Sequence, residues 1–266
     1  ALALVLYHSL AGGTLLQSSP YNSYALQAEN WLAGRNNIAN GENYTWLELA
    51  IYQGRYYQSF PPVPAVLMLP FVAAAGEWSA IPGNLIAMGL ALLCAGGVYA
   101  CCMRGGMQPV TCAFFTLFVS MGSNVFWMST NDGVWFLAQV CALGFAFWGL
   151  FFAQGGNAVQ DAAASLCMAL AVGCRPFYAL LLACWLGWQF YQRRSLKRIL
   201  PALLPAAVMA ACMMAYNFAR FGSVTEFGHN YLPEFVRAEN GQFSLTYLVP
   251  NLLQLLRPVT LDAQGQ

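Results

Sequence analysis

Long apolar stretches alternate along the chain with polar loops of very unequal length. Crossing about 30 Å of hydrocarbon takes about 20 apolar residues in a helix. Four uncharged stretches meet that requirement: Leu85 to Met103, Pro109 to Met128, Val134 to Phe152 and Ile199 to Phe218. A fifth, Ala162 to Tyr191, is divided at Arg175-Pro176 into two short crossings, because proline cannot continue the helical hydrogen-bond ladder. With the apolar start, Ala1 to Leu16, the pattern predicts seven crossings.

The apolar segment Pro62 to Ala75 is too short for an ordinary crossing, because at about 1.5 Å per residue it spans roughly 21 Å. Its prolines suit the first turn of a helix, where a missing N–H costs nothing, and Trp78 suits an interfacial anchor. We predict an interfacial helix in the first outer loop. A short true crossing is the alternative.

Composition supports a polytopic, all-α membrane protein. The chain is 59% hydrophobic and 8% charged, whereas soluble domains are about half apolar and a quarter charged. A net charge of +1 and the lack of a basic run interleaved with stacking aromatics in a polar context argue against a nucleic-acid partner. The nine cysteines lie in apolar segments and are predicted to be buried hydrophobes, so neither a metal site nor a disulfide framework is predicted. Since the chain lacks an initiator Met, we expect it to be a fragment.

The distribution of basic residues predicts the orientation. The turn Gln192 to Arg198 carries four bases, and such clusters stay on the cytoplasmic side. Counting crossings back from this turn places the loop Ser18 to Gly83, the turn Ser129 to Gly133, Arg175 and the loop Gly222 to Gln266 together on the outer side.

Part of the first loop resembles a known family. The string Gly54 to Ala65 (GRYYQSFPPVPA) resembles the first outer loop of bacterial C-type glycosyltransferases (the GT-C fold), which are related to protein O-mannosyltransferases and lipid A aminoarabinose transferases. Three further stretches agree with the family in order: Tyr24 to Arg35 (YALQAENWLAGR), Gly173 to Leu182 (GCRPFYALLL) and Tyr216 to Tyr231 (YNFARFGSVTEFGHNY). The resemblance implies a single GT-C-like transmembrane domain over residues 1–266, in the bacterial plasma (inner) membrane.

The resemblance also implies a reaction. Such enzymes transfer a sugar from a polyprenyl-phosphate carrier to a lipid, glycan or protein acceptor on the outer face; the part of a divalent metal ion stays open. A carboxylate has to take the acceptor's proton, and cationic groups have to stabilise the departing lipid phosphate.

Two acids are candidates for the catalytic carboxylate. The family's acid comes early in the first outer loop, where this chain has Asn22, which is not ionisable. Asp132 matches a second acid of the family, in the second outer loop; a cap of the helix starting at Gly133 is a compatible role. Glu29, on a helix predicted over Tyr24 to Ala33, is the other candidate, with a solvated helix face as the alternative.

The predicted substrate-binding residues are mostly basic or aromatic. Arg175 and Arg220 are predicted to hold the carrier phosphate, with interfacial anchoring as the alternative for Arg175. Arg55 and Tyr56 are predicted to line the acceptor or carrier groove, and Asn22 and His229 complete the set. For His229, packing within its loop is the alternative.

Two other functions stay open. A transporter or lipid flippase would use ionisable groups near the middle of its crossings and often an internal repeat. Neither feature is visible in the sequence, and the long acid-bearing outer loops favour the enzyme. A non-catalytic relative that binds polyprenyl lipids is favoured by Asn22.

Overall fold

The computed structural model describes residues 9, 12–236, 239–240 and 244–257; within these, the side chains of 196–198 are outside the description. The described chain is predominantly helical, in agreement with the predicted class. Its α-helices are α1 Ser23–Leu32, α2 Val63–Ala75, α3 Gly83–Arg104, α4 Pro109–Met121, α5 Asn124–Met128, α6 Val134–Ala153, α7 Ala158–Val172, α8 Ala179–Arg193, α9 Leu196–Phe221, α10 Pro233–Val236 and α11 Leu248–Leu255. A hairpin of β1 Leu49–Tyr52 and β2 Arg55–Gln58 is the described exception to the all-α class.

Three described helices are long and apolar enough to cross a membrane: α3, α6 and residues Ile199–Phe221 of α9. Helices α2, α4 and α7 are apolar but shorter. The predicted break at Arg175-Pro176 is confirmed, because α7 and α8 are separated there by the 3-10 turn Pro176–Tyr178. Seven crossings stay a prediction, and most of the predicted first crossing lies outside the described residues.

The predicted continuous helix from Pro109 to Met128 is not formed. Helix α4 ends at Met121, and Gly122 follows it as the C-cap. The Ser123 hydroxyl then accepts a hydrogen bond from the Val125 N–H and so starts α5 as a separate helix. Glycine weakens a helix interior and serine is a favoured N-cap, which accounts for the interruption.

Helices α3 and α6 run side by side in the same direction. At their beginnings the Asp132 N–H donates to Asn84 Oδ1 over 3.0 Å, and at their ends Gln154 Nε2 donates to the Cys101 carbonyl over 3.2 Å. Helix α7 packs against both α6 and α9. The Asp161–Arg193 ion pair, with 2.6 Å between Oδ2 and Nη2, joins the start of α7 to the end of α8. Polar side-chain contacts therefore join the helices at both ends of the bundle, with different residues at each end.

The first loop folds over one end of this bundle. Helices α1 and α2 pack together, and the β1–β2 turn places Gln53 and Gly54 at φ values of 51° and 71°. Positive φ at both central residues is typical of a type I′ hairpin turn, and glycine adopts it without strain. The hairpin packs against the end of α9 through Tyr57 and Phe221, whose ring centroids are 5.2 Å apart.

Candidate functional site

The Asp132 carboxylate joins three parts of the chain. Its Oδ1 accepts the Ser19 N–H over 2.6 Å, and its Oδ2 accepts the Ser18 hydroxyl and Asn22 Nδ2, each over 2.6 Å. The Asp132 N–H is held by Asn84 at the start of α3. Asp132 is fully buried, and a buried carboxylate needs such partners because desolvation penalises its charge. We call Ser18, Ser19, Asn22, Asn84 and Asp132 the carboxylate clasp.

The clasp changes how two predicted residues are interpreted. Asp132 does not cap α6: the N-cap is Gly133, without a side-chain cap, and the Gly133 N–H is held by Asn131. Asn22 caps α1, because its Oδ1 accepts the Ala25 N–H over 3.0 Å while its Nδ2 reaches Asp132. Burial raises the pKa of the Asp132 carboxyl, and its hydrogen bonds act in the opposite sense. A catalytic role for Asp132 stays a prediction; the geometry favours positioning.

Arg220, at the end of α9, is only 5% exposed. Its Nη1 donates to the Gln58 carbonyl over 2.6 Å, and its Nη2 donates to Asn217 Oδ1 over 3.0 Å. The guanidinium carbon lies 3.9 Å from the Tyr216 ring centroid and 4.6 Å from that of Phe221. Arg220 is therefore fixed by neutral groups, and its Nε has no described hydrogen-bond partner.

Arg175 follows α7 at the same end of the bundle. Its Nη2 donates to the Trp135 carbonyl over 2.7 Å, and its guanidinium carbon lies 5.7 Å from the Phe60 ring centroid. Its Nε is also without a described partner. Within the described chain no carboxylate lies at salt-bridge distance from either Arg175 or Arg220. Arg220 is buried and Arg175 is half-buried. Withdrawing a cation from water without a counterion is costly, so both arginines favour an anionic ligand.

Four further side chains, on α1, at the end of β2 and on α9, carry buried polar atoms without a described hydrogen-bond partner. These are the Tyr24 and Tyr216 hydroxyls, both polar ends of Gln27, and Oε1 of Gln58. Burial raises the pKa of the Tyr24 hydroxyl, and the Arg175 cation opposes that shift. Most buried polar groups in proteins are paired, which makes this cluster unusual.

The four family-like stretches meet in this region. The Trp31 and Tyr216 rings lie edge to face with centroids 5.7 Å apart. The Val63 N–H donates to the Gly173 carbonyl over 3.1 Å, and Arg220 reaches Gln58. Segments far apart in sequence therefore build one site.

The other predicted site residues have different surroundings. Glu29 Oε1 accepts the Trp78 N–H over 3.2 Å and so ties α1 to the 3-10 turn Trp78–Ala80 between α2 and α3. Arg55 is exposed on the hairpin, and Tyr56 packs closely against Gly41. Within the described residues, no hydrogen bond or ring contact joins Arg55 or Tyr56 to the two arginines.

His229 packs among aromatic rings, with centroid distances of 5.1 Å to Phe227, 6.1 Å to Phe235 and 6.3 Å to Phe60. Burial lowers the pKa of its imidazole, although Glu226 and Glu234 oppose the shift. The ring therefore favours the neutral form. This environment fits the packing alternative, and a binding role for His229 stays a prediction.

Sequence reasoning missed Glu48. Its Oε2 accepts the Trp135 indole N–H over 3.2 Å, while the Trp135 carbonyl accepts from Arg175. Glu48 also lines a surface cavity of about 430 Å³ together with Tyr44 and Trp46. Nothing in the local pattern distinguishes Glu48 from any other loop acid, because its connection to Arg175 runs through a residue 87 positions away.

An apolar cavity of about 420 Å³ lies beside α2 and α9. Its lining consists of Pro62, Val63, Val66, Leu67, Phe145, Leu170, Met209, Cys212 and Met213. Cys212, Tyr216 and Arg220 are spaced by four residues and so share one face of α9. The face of α9 that lines the cavity therefore continues to Arg220.

In the described part of the chain, no three His, Cys, Asp or Glu side chains gather in an arrangement able to hold a metal ion.

Comparison with known proteins identifies no relative: no family model, curated protein or solved structure matches the chain.

Proposed function

We propose that this chain is a bacterial plasma-membrane glycosyltransferase that takes a sugar from a polyprenyl-phosphate carrier and passes it to a lipid, glycan or protein acceptor on the outer face. The supporting observation is the pair Arg175 and Arg220, two cations at one end of an apolar helix bundle without a carboxylate partner among the described residues. Lipid phosphate at the membrane surface supplies the missing anion.

The surroundings of the arginines support a lipid-linked anion over a free one. The apolar cavity beside α9 lies on the helix face that leads to Arg220. A carrier with its phosphate at the arginines would extend its first isoprene units into that cavity, where burial of apolar surface favours binding. A free phosphate would leave the cavity unused.

Glu48 is the proposed general base. In the transfer, the acceptor hydroxyl oxygen bonds to the anomeric carbon while Glu48 takes the hydroxyl proton. The bond between that carbon and the phosphate oxygen breaks, and its electron pair passes to the phosphate, whose charge Arg175 and Arg220 stabilise. Trp135 links the base to one of these cations, since it contacts both Glu48 and Arg175. Asp132 then acts as a positioning residue through the clasp.

A non-catalytic carrier-binding protein is the second candidate, and Asn22 favours it. The Asn22 side chain uses its amide on the Asp132 carboxylate and on the cap of α1, so it serves the fold at the place where the family resemblance puts the catalytic acid. Such a protein would share the arginine site and lack transfer.

The test uses membranes carrying the full-length protein and a panel of radiolabelled polyprenyl-phosphate sugars. Label should move from carrier to acceptor in the wild type, and both Arg220→Gln and Glu48→Gln should reduce the rate at least about 100-fold. Arg104→Gln and Glu77→Gln make the same chemical changes away from the site, so they should retain wild-type rates.

If the protein binds the carrier but transfers sugar from none of the donors, the non-catalytic carrier-binding function is correct and the enzymatic one is wrong. Equal transfer rates in Arg220→Gln and Arg104→Gln would show that Arg220 does not bind the carrier phosphate. If Asp132→Asn abolished transfer without loss of folded protein while Glu48→Gln did not, the base would be Asp132.

A further inference from the structure

The unpartnered atoms of Tyr24, Gln27, Gln58 and Tyr216 define what kind of ligand satisfies them. Gln27 is fully buried, and both its Nε2 donor and its Oε1 acceptor lack described partners. Gln58, 1% exposed, offers an unpartnered Oε1, and the Tyr24 and Tyr216 hydroxyls each can donate and accept. The cluster thus needs a ligand that presents both donors and acceptors.

These residues face a common region between α1 and α9. Tyr24, Gln27 and Trp31 share one face of α1 by their spacing of three and four residues, and Trp31 packs on Tyr216. Gln58 connects the two sides, because its Nε2 donates to Ser23 over 2.8 Å and its carbonyl accepts from Arg220.

Phosphate alone does not satisfy this cluster. An ionised phosphate has oxygen acceptors only, so it pairs with the arginines but leaves Oε1 of Gln27 and Oε1 of Gln58 without a donor. A hydroxyl group both donates and accepts, and a sugar carries several of them. The two arginines also disfavour a positive charge on the ligand, since like charges repel.

We propose that Tyr24, Gln27, Gln58 and Tyr216 bind the sugar of the donor, and that this sugar carries no positive charge. The inference rests on the proposed function, because it assigns the phosphate of the same donor to Arg175 and Arg220. The unpartnered atoms are sealed from solvent in this structure. Binding therefore requires α1 and α9 to separate locally around the sugar.

The experiment measures binding of short carrier analogues to full-length protein in detergent. The ligands are farnesyl phosphate, its arabinose, glucose and mannose conjugates, and a 4-amino-4-deoxyarabinose conjugate matched to arabinose. At least one neutral conjugate should bind about tenfold more tightly than farnesyl phosphate, a difference of about 1.4 kcal/mol. The amino sugar should bind no more tightly than farnesyl phosphate.

Two variants locate the effect. Gln27→Met conserves volume and should remove the advantage of the neutral sugar while leaving the Kd of farnesyl phosphate unchanged. Tyr24→Phe, which removes only a hydroxyl, should reduce that advantage. Gln160→Met, at the other end of the bundle, should retain it.

Failure of the inference and of the proposed function give different results. If farnesyl phosphate binds but neither neutral sugars nor Gln27→Met change the Kd, or if the amino sugar binds as tightly as arabinose, the sugar assignment is wrong and the phosphate site stands. If farnesyl phosphate does not bind, the proposed function and the inference that rests on it are both overturned. Sugar-dependent binding without transfer keeps the inference and removes only the enzymatic step.

Discussion

Asn22 Nδ2 lies 2.6 Å from Asp132 Oδ2, although 110 residues separate the two in the chain. The contact fastens α1 to the start of α6. Because Asn22 also caps α1, one amide serves a local and a long-range purpose. The clasp therefore couples the position of α1, which carries Tyr24 and Gln27, to the bundle.

Asp132→Asn should destabilise the protein by roughly 2–4 kcal/mol, because an amide cannot accept from three donors and leaves buried N–H or O–H groups unpaired. Thermal unfolding in detergent would measure the loss. Ser18→Ala removes a single donor and should cost less. A melting temperature of Asp132→Asn equal to that of the wild type would show that the clasp contributes nothing to stability.

Asn22→Asp should make stability strongly dependent on pH. Burial already raises the pKa of Asp132 above its ordinary 3.8, so the folded state binds a proton more tightly than the unfolded state. This group's contribution to stability is present below pH 3.8 and is lost as pH rises through the folded-state pKa. A second carboxyl at position 22 opposes ionisation of the pair further, so the loss should extend toward neutral pH.

Melting temperatures of Asn22→Asp and the wild type between pH 4 and pH 8 test this expectation. The difference between them should widen as pH rises. A constant difference across that range would mean that the two carboxyls do not face each other. Asn36→Asp, the same change at an exposed position, controls for the general effect of an added acidic side chain.

Gln27→Met should stabilise the ligand-free protein by about 1–3 kcal/mol, since it removes a buried donor and acceptor that have no described partner and keeps the volume. Gain of stability with loss of sugar binding is the trade-off expected of a binding residue. Urea or thermal unfolding gives the measurement. Destabilisation instead would show that Gln27 is held by partners that support the fold.

The predicted orientation can be tested with cysteine labelling in intact cells. Thr45→Cys lies at an exposed position in the first loop and should react with a membrane-impermeant maleimide added from outside. Gln192→Cys, exposed at the end of α8, should react only after the membrane is opened. Both are compared with the unsubstituted protein, which has nine cysteines. Labelling of Gln192→Cys in intact cells would show that the predicted orientation is wrong.

The sequence by itself determined the class of the protein and most helix positions, because hydrophobic length and breaks at proline are local properties of the chain. It placed the interruption at Arg175-Pro176 and the helices α1 and α2 within a residue or two. It did not anticipate the break at Gly122 and Ser123, where a weak local signal interrupts an otherwise uniform apolar run.

Only the tertiary structure decided the partners of the polar side chains. Asp132 and Asn22 were each visible as candidates, but their hydrogen bond depends on how α1 and α6 pack, and a carboxylate gives no local indication of the donors it will meet. The same holds for Glu48, which reaches Arg175 only through Trp135. Burial sets the cost of a charge or an unpaired amide, and burial at Arg220 and Gln27 arises from segments that are distant in sequence.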